Sequence, residues 1–359
     1  MKGEVRGDPA HIDEHWLTDA LEAAGVARGA QVTSVEVAGF SGTGQTGRSA
    51  RLHLEWDQPE GRPTSLVGKF PSGDEAAKAA AFQNGAYETE WAFYHQLAPT
   101  LSIRHPEVYV ARYDHQTPDF VLLMEDLRGS RQGDQFDGLT VDQAALAVEQ
   151  VVGLHAPRWG DPTLHEFAPH RPKGSDAAMM LGMVYGMMVE PFLERLGPGL
   201  DADIVDVVRA LAPKAGAWAN GSDTPNTVVH LDYRPDNFMF GVEAGAPPLV
   251  VVDWQTVTDG NAMMDLAYMI GGSFEPAERA AVERPLLDDY RTRMAAAGVS
   301  YDADIMWRDY RLASLWGVVM TVIATIMAAQ TERGDQMLTV MGQRHGRHAL
   351  DLDAMALLG

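Results

Sequence analysis

One polar loop interrupts the helix-forming later part of this chain. It reads His230-Leu231-Asp232-Tyr233-Arg234-Pro235-Asp236-Asn237, and short apolar runs, Thr227-Val-Val and Phe238-Met-Phe, flank it. Sixteen residues past Asn237 another apolar run, Leu249-Val250-Val251-Val252, ends in Asp253. Apolar runs this short, bounded by turn-forming residues, predict buried strands rather than helices. Any fold for the chain must therefore set a small β-substructure inside a mainly helical region. It must also carry Asp232, Asn237 and Asp253 at the ends of its strands.

The remaining periodicity falls into two parts. His11 to Ala24 reads as a helix with Trp16, Leu17, Ala20 and Leu21 on one face. Val32–Val37, Ser49–Trp56, Ser65–Phe70 and Phe120–Met124 read as strands, and Ala76–Leu97 as a helix. From Val141 onward the pattern is helical over 141–155, 176–196, 201–219, 277–297 and 304–331. At 359 residues the chain is too long for one small core. The pattern predicts an α+β protein of two lobes. Residues 1–127 form an N-terminal lobe with an antiparallel sheet plus helix, and 128–359 a larger, mostly helical C-terminal lobe.

Composition removes several function classes. With no cysteine, disulfides, thiolate zinc sites and thiol catalysis are excluded. No run approaches the roughly 20 apolar residues of a membrane span. Met1 to Asp13 is charged and lacks an apolar signal segment, so a cytoplasmic protein is expected. The net charge of −22 argues against a nucleic-acid partner or an anionic membrane surface. It would suit a cationic substrate, although scattered surface acids that maintain solubility explain it more simply.

The candidate site residues follow from their chemistry. Gly42-Thr43-Gly44-Gln45-Thr46-Gly47 fits G-x-G-x-x-G, yet the segment after it alternates like a strand, whereas a dinucleotide fold needs a helix there. It reads as a strand–turn–strand flap whose backbone N–H groups can approach phosphates, or as an ordinary Gly-rich hairpin. Lys69 lies inside the apolar strand Leu66–Phe70, where an ammonium is expensive to bury unless paired. Glu90 is the expected partner and Glu88 the rival; otherwise Lys69 is a solvated edge-strand residue. Asp232 can accept a hydrogen bond from a substrate hydroxyl and is the expected catalytic base or orienting group. Asn237 and Asp253 offer hard oxygens suited to Mg²⁺. Arg234 is either a phosphate-neutralising cation or a surface arginine. His230 is expected to hold the loop backbone. Asp265 opens a helix, and either caps it or hydrogen-bonds to the loop. An Asp, an Asn five residues on and a second Asp is the kinase arrangement for metal ions and a nucleophile.

Two further segments carry weaker signals. The methionines of Met179–Met188 predict either a lining for an apolar ligand or a core helix. His345 and His348 lack a carboxylate or cysteine context for a metal, and are expected to be solvated.

Together these residues resemble the aminoglycoside phosphotransferase superfamily of small-molecule kinases, nearest its ecdysteroid-kinase-like and acyl-CoA-dehydrogenase-associated branches. The resemblance runs from Trp16-Leu17 through Glu90–Tyr94, Leu122–Leu127, Leu154-His-Ala156 and the 230–237 loop to Asp253-Trp-Gln and Asp265–Tyr268. It implies a bilobal protein-kinase-like fold, with ATP or GTP held between lobes. Met124, Glu125, Asp126 and Leu127 would form the hinge that meets the purine, and Gly42, Thr43, Gly44 and Gln45 the phosphate flap. Lys69, Asp232, Asn237 and Asp253 match the family's phosphate, base and metal positions. Two departures stand out: Leu231 replaces the usual glycine, and Gln255 stands where many aminoglycoside enzymes carry an acid. Only eleven residues separate Asp253 from Asp265, too few for a protein kinase's activation segment. The implied activity is Mg-dependent transfer of a nucleotide's γ-phosphate to a hydroxyl of a small substrate. An aminoglycoside, a sterol-like alcohol or a hydroxyacyl thioester would all fit as acceptor. The alternative is a nucleotide-binding regulatory protein without turnover.

Overall fold

Asp13 starts the first helix by accepting the backbone N–H of Trp16 on Oδ1 at 2.8 Å. This helix, α1 (Glu14–Ala23), buries Trp16, Leu17, Ala20 and Leu21, the face its spacing predicts. The computed structural model describes residues 3–41, 46–167, 174–219, 224–327 and 331–358, with the side chains of 40, 41, 326 and 327 also outside the description. The chain divides into two compact units. The first comprises Met1–Pro99, His105–Gly129 and Val252–Gln255; the second comprises Thr100–Arg104, Ser130–Val251 and Thr256–Gly359.

The first unit is built on a five-stranded antiparallel sheet in the order β1-β2-β3-β5-β4. Its strands are β1 (Val32–Ser41), β2 (Gly47–Trp56), β3 (Ser65–Pro71), β4 (Val108–Tyr113) and β5 (Phe120–Glu125). One face packs on α1 through Leu52, Leu54, Leu66, Phe70, Val121 and Leu123. Strand β4 is absent from the sequence reading because only Val110 of its six residues is buried, so it shows no alternation. The single helix expected over Ala76–Leu97 is broken into α2 (Glu75–Gln83), α3 (Ala86–Ala92) and a π turn over Phe93–Leu97. Gly85 makes the break, with a φ of 70° that a side-chain-bearing residue adopts only at a cost. The second segment thereby takes a new direction, and Glu90 is buried.

In the second unit the short strands lie among helices. Strand β6 (Ser130–Gln132) precedes α4 (Val141–His155), α5 (Gly174–Leu196), α6 (Ala202–Leu211) and α7 (Ala215–Ala219). Next come β7 (Thr227–Val229), β8 (Phe238–Gly241), β9 (Leu249–Val251) and β10 (Thr258–Gly260). Helices α8 (Met263–Ser273), α9 (Pro276–Ala296), α10 (Ala303–Met327) and α11 (Glu332–Asp351) complete it. The strands form two small antiparallel sheets, β6-β8-β9 and β10-β7. Residues 230–237 thus run from the end of β7 to the start of β8.

Two expectations are overturned here. The methionine segment of α5 does not make a core face: Met179, Met183 and Met187 are 70%, 60% and 69% exposed, while Met188 packs against the core. That helix is apolar on most of its circumference, and its buried side is the one carrying Tyr185, Val189, Phe192 and Leu196. His345 and His348, expected in solvent, are buried on α11. The helix escapes sequence detection for the same reason, since histidines and the glycines Gly342 and Gly346 occupy positions where apolar periodicity would be sought. Burial, followed by the neighbouring His348 and cationic groups, pulls the His345 imidazole down to about 3, so it is neutral.

Glycines make room for both rings. A Cβ at Gly317 on α10 would lie 2.1 Å from His345 Nδ1, and one at Gly271 on α8 would lie 2.3 Å from His348 Nδ1. Gly317→Ala should therefore destabilise the protein by about 3 kcal/mol, because the ring has no solvent side to move toward. Urea unfolding of the variant checks this; a loss below about 1 kcal/mol would mean that α10 and α11 separate easily. Among the described residues no helix is long and apolar enough to cross a membrane.

Candidate active site

In the first unit, chemistry gathers around Lys69 on β3. Its Nζ donates to Glu90 at 2.7–2.8 Å and to Asp253 Oδ1 at 2.7 Å. Burial alone would lower the ammonium's pKa, but the Asp253 and Glu90 carboxylates outweigh it and hold Lys69 protonated well above its usual range. Glu90 is raised by its own burial, an effect only partly offset by Lys69. Glu88 faces elsewhere, with Oε1 3.7 Å from His115 Nδ1. Of the two acids considered from sequence, Glu90 is the one that meets Lys69.

Asp253 has φ +68°, a left-handed conformation that Asp tolerates better than most residues. The next residue, Trp254, stacks on Phe93 of the π turn, with centroids 3.9 Å apart and planes 5° apart. Gln255 then turns back and donates to Asp253 Oδ2 at 3.3 Å, while its Oε1 accepts from Thr46 at 2.6 Å. Tyr87 donates to the Thr46 carbonyl at 2.6 Å. One end of the Gly-rich turn is thus tied to the Asp253 segment. The proposed flap residues Gly42, Thr43, Gly44 and Gln45 lie outside the described residues.

The segment 124–127 closes the first unit's sheet. Met124 is buried, with Sδ 4.0 Å from the Tyr94 hydroxyl, and the N–H of Glu125 donates to the Glu107 carbonyl at 2.8 Å. The Asp126 carboxylate accepts from Arg51 at 2.9 and 3.0 Å, Ser65 at 2.6 Å and Arg128 at 2.7 Å. Its side chain therefore anchors the segment's fold. Leu127 is half-buried.

In the second unit, Asp265 organises the 230–237 loop. Its two oxygens accept the backbone N–H groups of His230 and Leu231, each at 2.8 Å. His155 Nε2 is 3.1 Å from Oδ2, and His155 Nδ1 is 2.9 Å from the Tyr290 hydroxyl. An ionised carboxylate only accepts, so Nε2 is the nitrogen that donates to Asp265. Asp265 does not cap α8, whose N-cap position is Ala262. His230 Nδ1 accepts the N–H of Asp232 at 3.3 Å, and Thr256 donates to the His230 carbonyl at 2.7 Å.

Leu231 explains one departure from the family pattern. Its φ is +66°, the left-handed region that glycine enters freely and a leucine enters at about 1–2 kcal/mol. Both of its backbone groups are engaged, the N–H by Asp265 and the carbonyl by Trp316 Nε1 at 2.9 Å. Its side chain packs on the core that contains Tyr185, Tyr268 and Trp316. Packing and hydrogen bonds together hold a conformation that leucine alone would avoid.

The loop then presents Asp232. Asn237 Nδ2 donates to the Asp232 carbonyl at 2.8 Å and to its Oδ2 at 2.9 Å. Both partners are acceptors, so the amide nitrogen faces Asp232 and the amide oxygen is turned away. Arg234 Nε is 3.0 Å from Asp232 Oδ1, and its NH1 donates to Asp236 at 2.6 Å. Burial works against the guanidinium's charge, but Asp232 and Asp236 more than restore it. Arg234 is therefore not a surface arginine. His155 and Tyr268 entered the sequence reading only as matched motif positions. No local pattern marks His155 as a site residue, because it acts through Asp265, 110 residues away in sequence.

Each unit carries one side chain with a hard oxygen of the kind Mg²⁺ takes. Asn237 and Asp253 each supply a hard oxygen, and no group of three His, Asp, Glu or Cys side chains that could hold a metal alone occurs among the described residues. Mg²⁺ is commonly bound by one or two protein oxygens together with nucleotide phosphates and water.

Comparison with known proteins gives the family and the fold. The family model described as "Phosphotransferase enzyme family" (APH) matches residues 47–299. Among solved structures, the GDP and kanamycin complex of APH(2'')-IIIa is 15% identical with a TM-score of 0.52, covering 89% of this chain and 97% of that one. Macrolide 2'-phosphotransferase type I is 14% identical with a TM-score of 0.50, covering 95% and 99%. The ethanolamine kinase of Plasmodium vivax is 10% identical with a TM-score of 0.50, covering 85% and 81%. No curated protein matches the chain significantly. The structural likenesses show a protein-kinase-like α+β fold, and the family match spans most of the sequence. The chain belongs to the phosphotransferase enzyme family.

Proposed function

We propose that this phosphotransferase moves the γ-phosphate of ATP or GTP, with Mg²⁺, to a hydroxyl group of a small molecule. The observation that carries the reading is the buried Lys69 ammonium, fixed between Glu90 and Asp253 and held charged. A cation so placed serves little purpose in a sheet unless an anionic ligand comes to it. Family membership adds the reaction class.

On this reading Lys69 neutralises phosphate charge, and the backbone of 124–127 meets the purine. Asn237 and Asp253 would hold Mg²⁺, which would supply positive charge to the transferring phosphoryl group. Asp232 accepts the hydrogen bond of the substrate hydroxyl and receives its proton. The substrate oxygen forms a bond to the γ-phosphorus as the bond to the bridging oxygen breaks, and the nucleoside diphosphate leaves. Arg234, between Asp232 and Asp236, supplies positive charge beside the base. His230 and Asp265 hold the loop backbone. Catalysis then rests on positioning and charge, as a loose phosphoryl transition state requires.

Titration calorimetry tests the nucleotide half. Asp253→Ala should abolish the Mg-dependent part of ATP and GTP binding and leave metal-free affinity within about twofold, since it removes one oxygen ligand and keeps the Lys69–Glu90 pair. Equal Mg-dependent binding in both proteins would refute the assignment. The transfer half is tested by release of nucleoside diphosphate against a panel of aminoglycosides, sterol-like alcohols and hydroxyacyl thioesters. Thermal stabilisation by Mg·ATP with no consumption across the panel would favour the nucleotide-binding alternative without turnover.

A further inference from the structure

Asp236 is the second carboxylate of the 230–237 loop, and it shares Arg234 with Asp232. The guanidinium reaches Asp232 Oδ1 with Nε at 3.0 Å and donates from NH1 to Asp236 Oδ2 at 2.6 Å. All three side chains are largely withdrawn from solvent. A planar fork caught between two carboxylates has one orientation, whereas a single contact would let it turn.

Asp236 can hold the fork because it is itself held from outside the loop. Its other oxygen, Oδ1, accepts the backbone N–H of Gln135 at 2.9 Å, and its carbonyl accepts from Gln132 Nε2 at 2.6 Å. Gln135 lies in the turn between β6 and α4 and is buried. Its Nε2 donates to the Gly272 carbonyl of α8 at 2.8 Å, and its own carbonyl accepts from Arg344 NH1 of α11 at 2.9 Å. Gly133 lets this turn lie so close to the loop, since a Cβ there would be 2.5 Å from the Pro235 carbonyl oxygen. The plain reading is that Asp236 only fastens the turn to the loop. The Oδ1 bond to Gln135 would do that alone, and it leaves the Oδ2 bond to Arg234 without a purpose.

We infer that Asp236 is a positioning residue, holding Arg234 so that the guanidinium charge keeps its place beside the Asp232 carboxylate. Where turnover is concerned, the inference rests on the reading of Asp232 as the base. The contacts stand without it.

Single-turnover transfer to whichever acceptor in the panel is phosphorylated tests the positioning role. Asp236→Asn keeps the volume and an oxygen for the Gln135 N–H, but turns an amide N–H toward another donor, Arg234 NH1. It should slow transfer about 10-fold with nucleotide KM within about twofold, the signature of a displaced group rather than lost binding. In an Arg234→Met background the same substitution should change the rate by less than about twofold, because Asp236 acts only through the guanidinium. An equal loss in both backgrounds would reduce Asp236 to a fastener of the turn and overturn the inference. So would an unchanged rate in Asp236→Asn alone. Arg234→Lys reads the same geometry with Asp236 intact, and should also slow transfer about 10-fold, since an ammonium keeps the charge but lacks the fork. A rate within about twofold of wild type would show that charge suffices without orientation, which also overturns the inference. A double-mutant cycle of Asp236→Asn and Arg234→Met in urea unfolding reads the contact without turnover. Non-additive losses in midpoint are expected, and additive ones would remove the contact. If the wild type transfers no phosphate, or Asp232→Ala still does, the functional reading fails, and the unfolding cycle still decides whether Asp236 holds Arg234.

Discussion

Asp265→Ala should lower the unfolding free energy by about 3–5 kcal/mol, the range for removing one side of a buried charged interaction. The carboxylate is fully buried and accepts from His230 N–H, Leu231 N–H and His155. Its removal strands two buried backbone donors, each worth roughly 1–3 kcal/mol when left unsatisfied. It also withdraws the bonds that help keep Leu231 in its left-handed conformation. Asp265→Asn keeps the volume but can offer only one oxygen to the two N–H groups, so its loss should be smaller, about 2 kcal/mol. Urea unfolding followed by circular dichroism reads both. A loss under about 1 kcal/mol for the alanine variant would show that the loop holds itself without this anchor.

Where the fold could be read in advance, the determinants are local. Helix α4 begins at Thr140 and ends at His155 because Thr140 and Gln143 form a reciprocal cap and the apolar face repeats regularly. The loop at 230–237 is legible because apolar strands border it on both sides. What escapes is set by packing. Helix α11 uses His345, His348, Gly342 and Gly346 in its buried face, and their small or polar character masks the period. Met179, Met180, Met183 and Met187 of α5 satisfy a core pattern yet face outward, since the aromatic side of the same helix takes the interior. The choice of Glu90 over Glu88 depends on Gly85 redirecting the helix, which no periodicity reveals. At the site, Lys69, Asp232, Asn237 and Asp253 are visible because each is polar against an apolar background. His155 is not, because a buried aromatic looks like core until its partner is seen.

Asp232→Ala should reduce phosphate transfer by about 10³-fold or more, the upper range for losing a positioned general base together with its orienting role. The geometry around the carboxylate supports an effect of this size. Two oxygens offer about four lone-pair positions. Arg234 and Asn237 occupy two donor directions, so capacity remains for a further O–H. That is the demand a substrate hydroxyl makes. Nucleotide affinity should stay within about twofold, because the substitution leaves intact the Lys69–Glu90–Asp253 cluster that would carry phosphate and metal. Asp232→Asn should rescue little of the activity. Its amide nitrogen would have to face either Asn237 Nδ2 or Arg234 Nε, both of them donors. Single-turnover transfer and calorimetry on the same preparations separate the two quantities. Transfer within tenfold of wild type in the alanine variant would remove Asp232 from the chemistry and leave Arg234 and Asn237 with a purely architectural task.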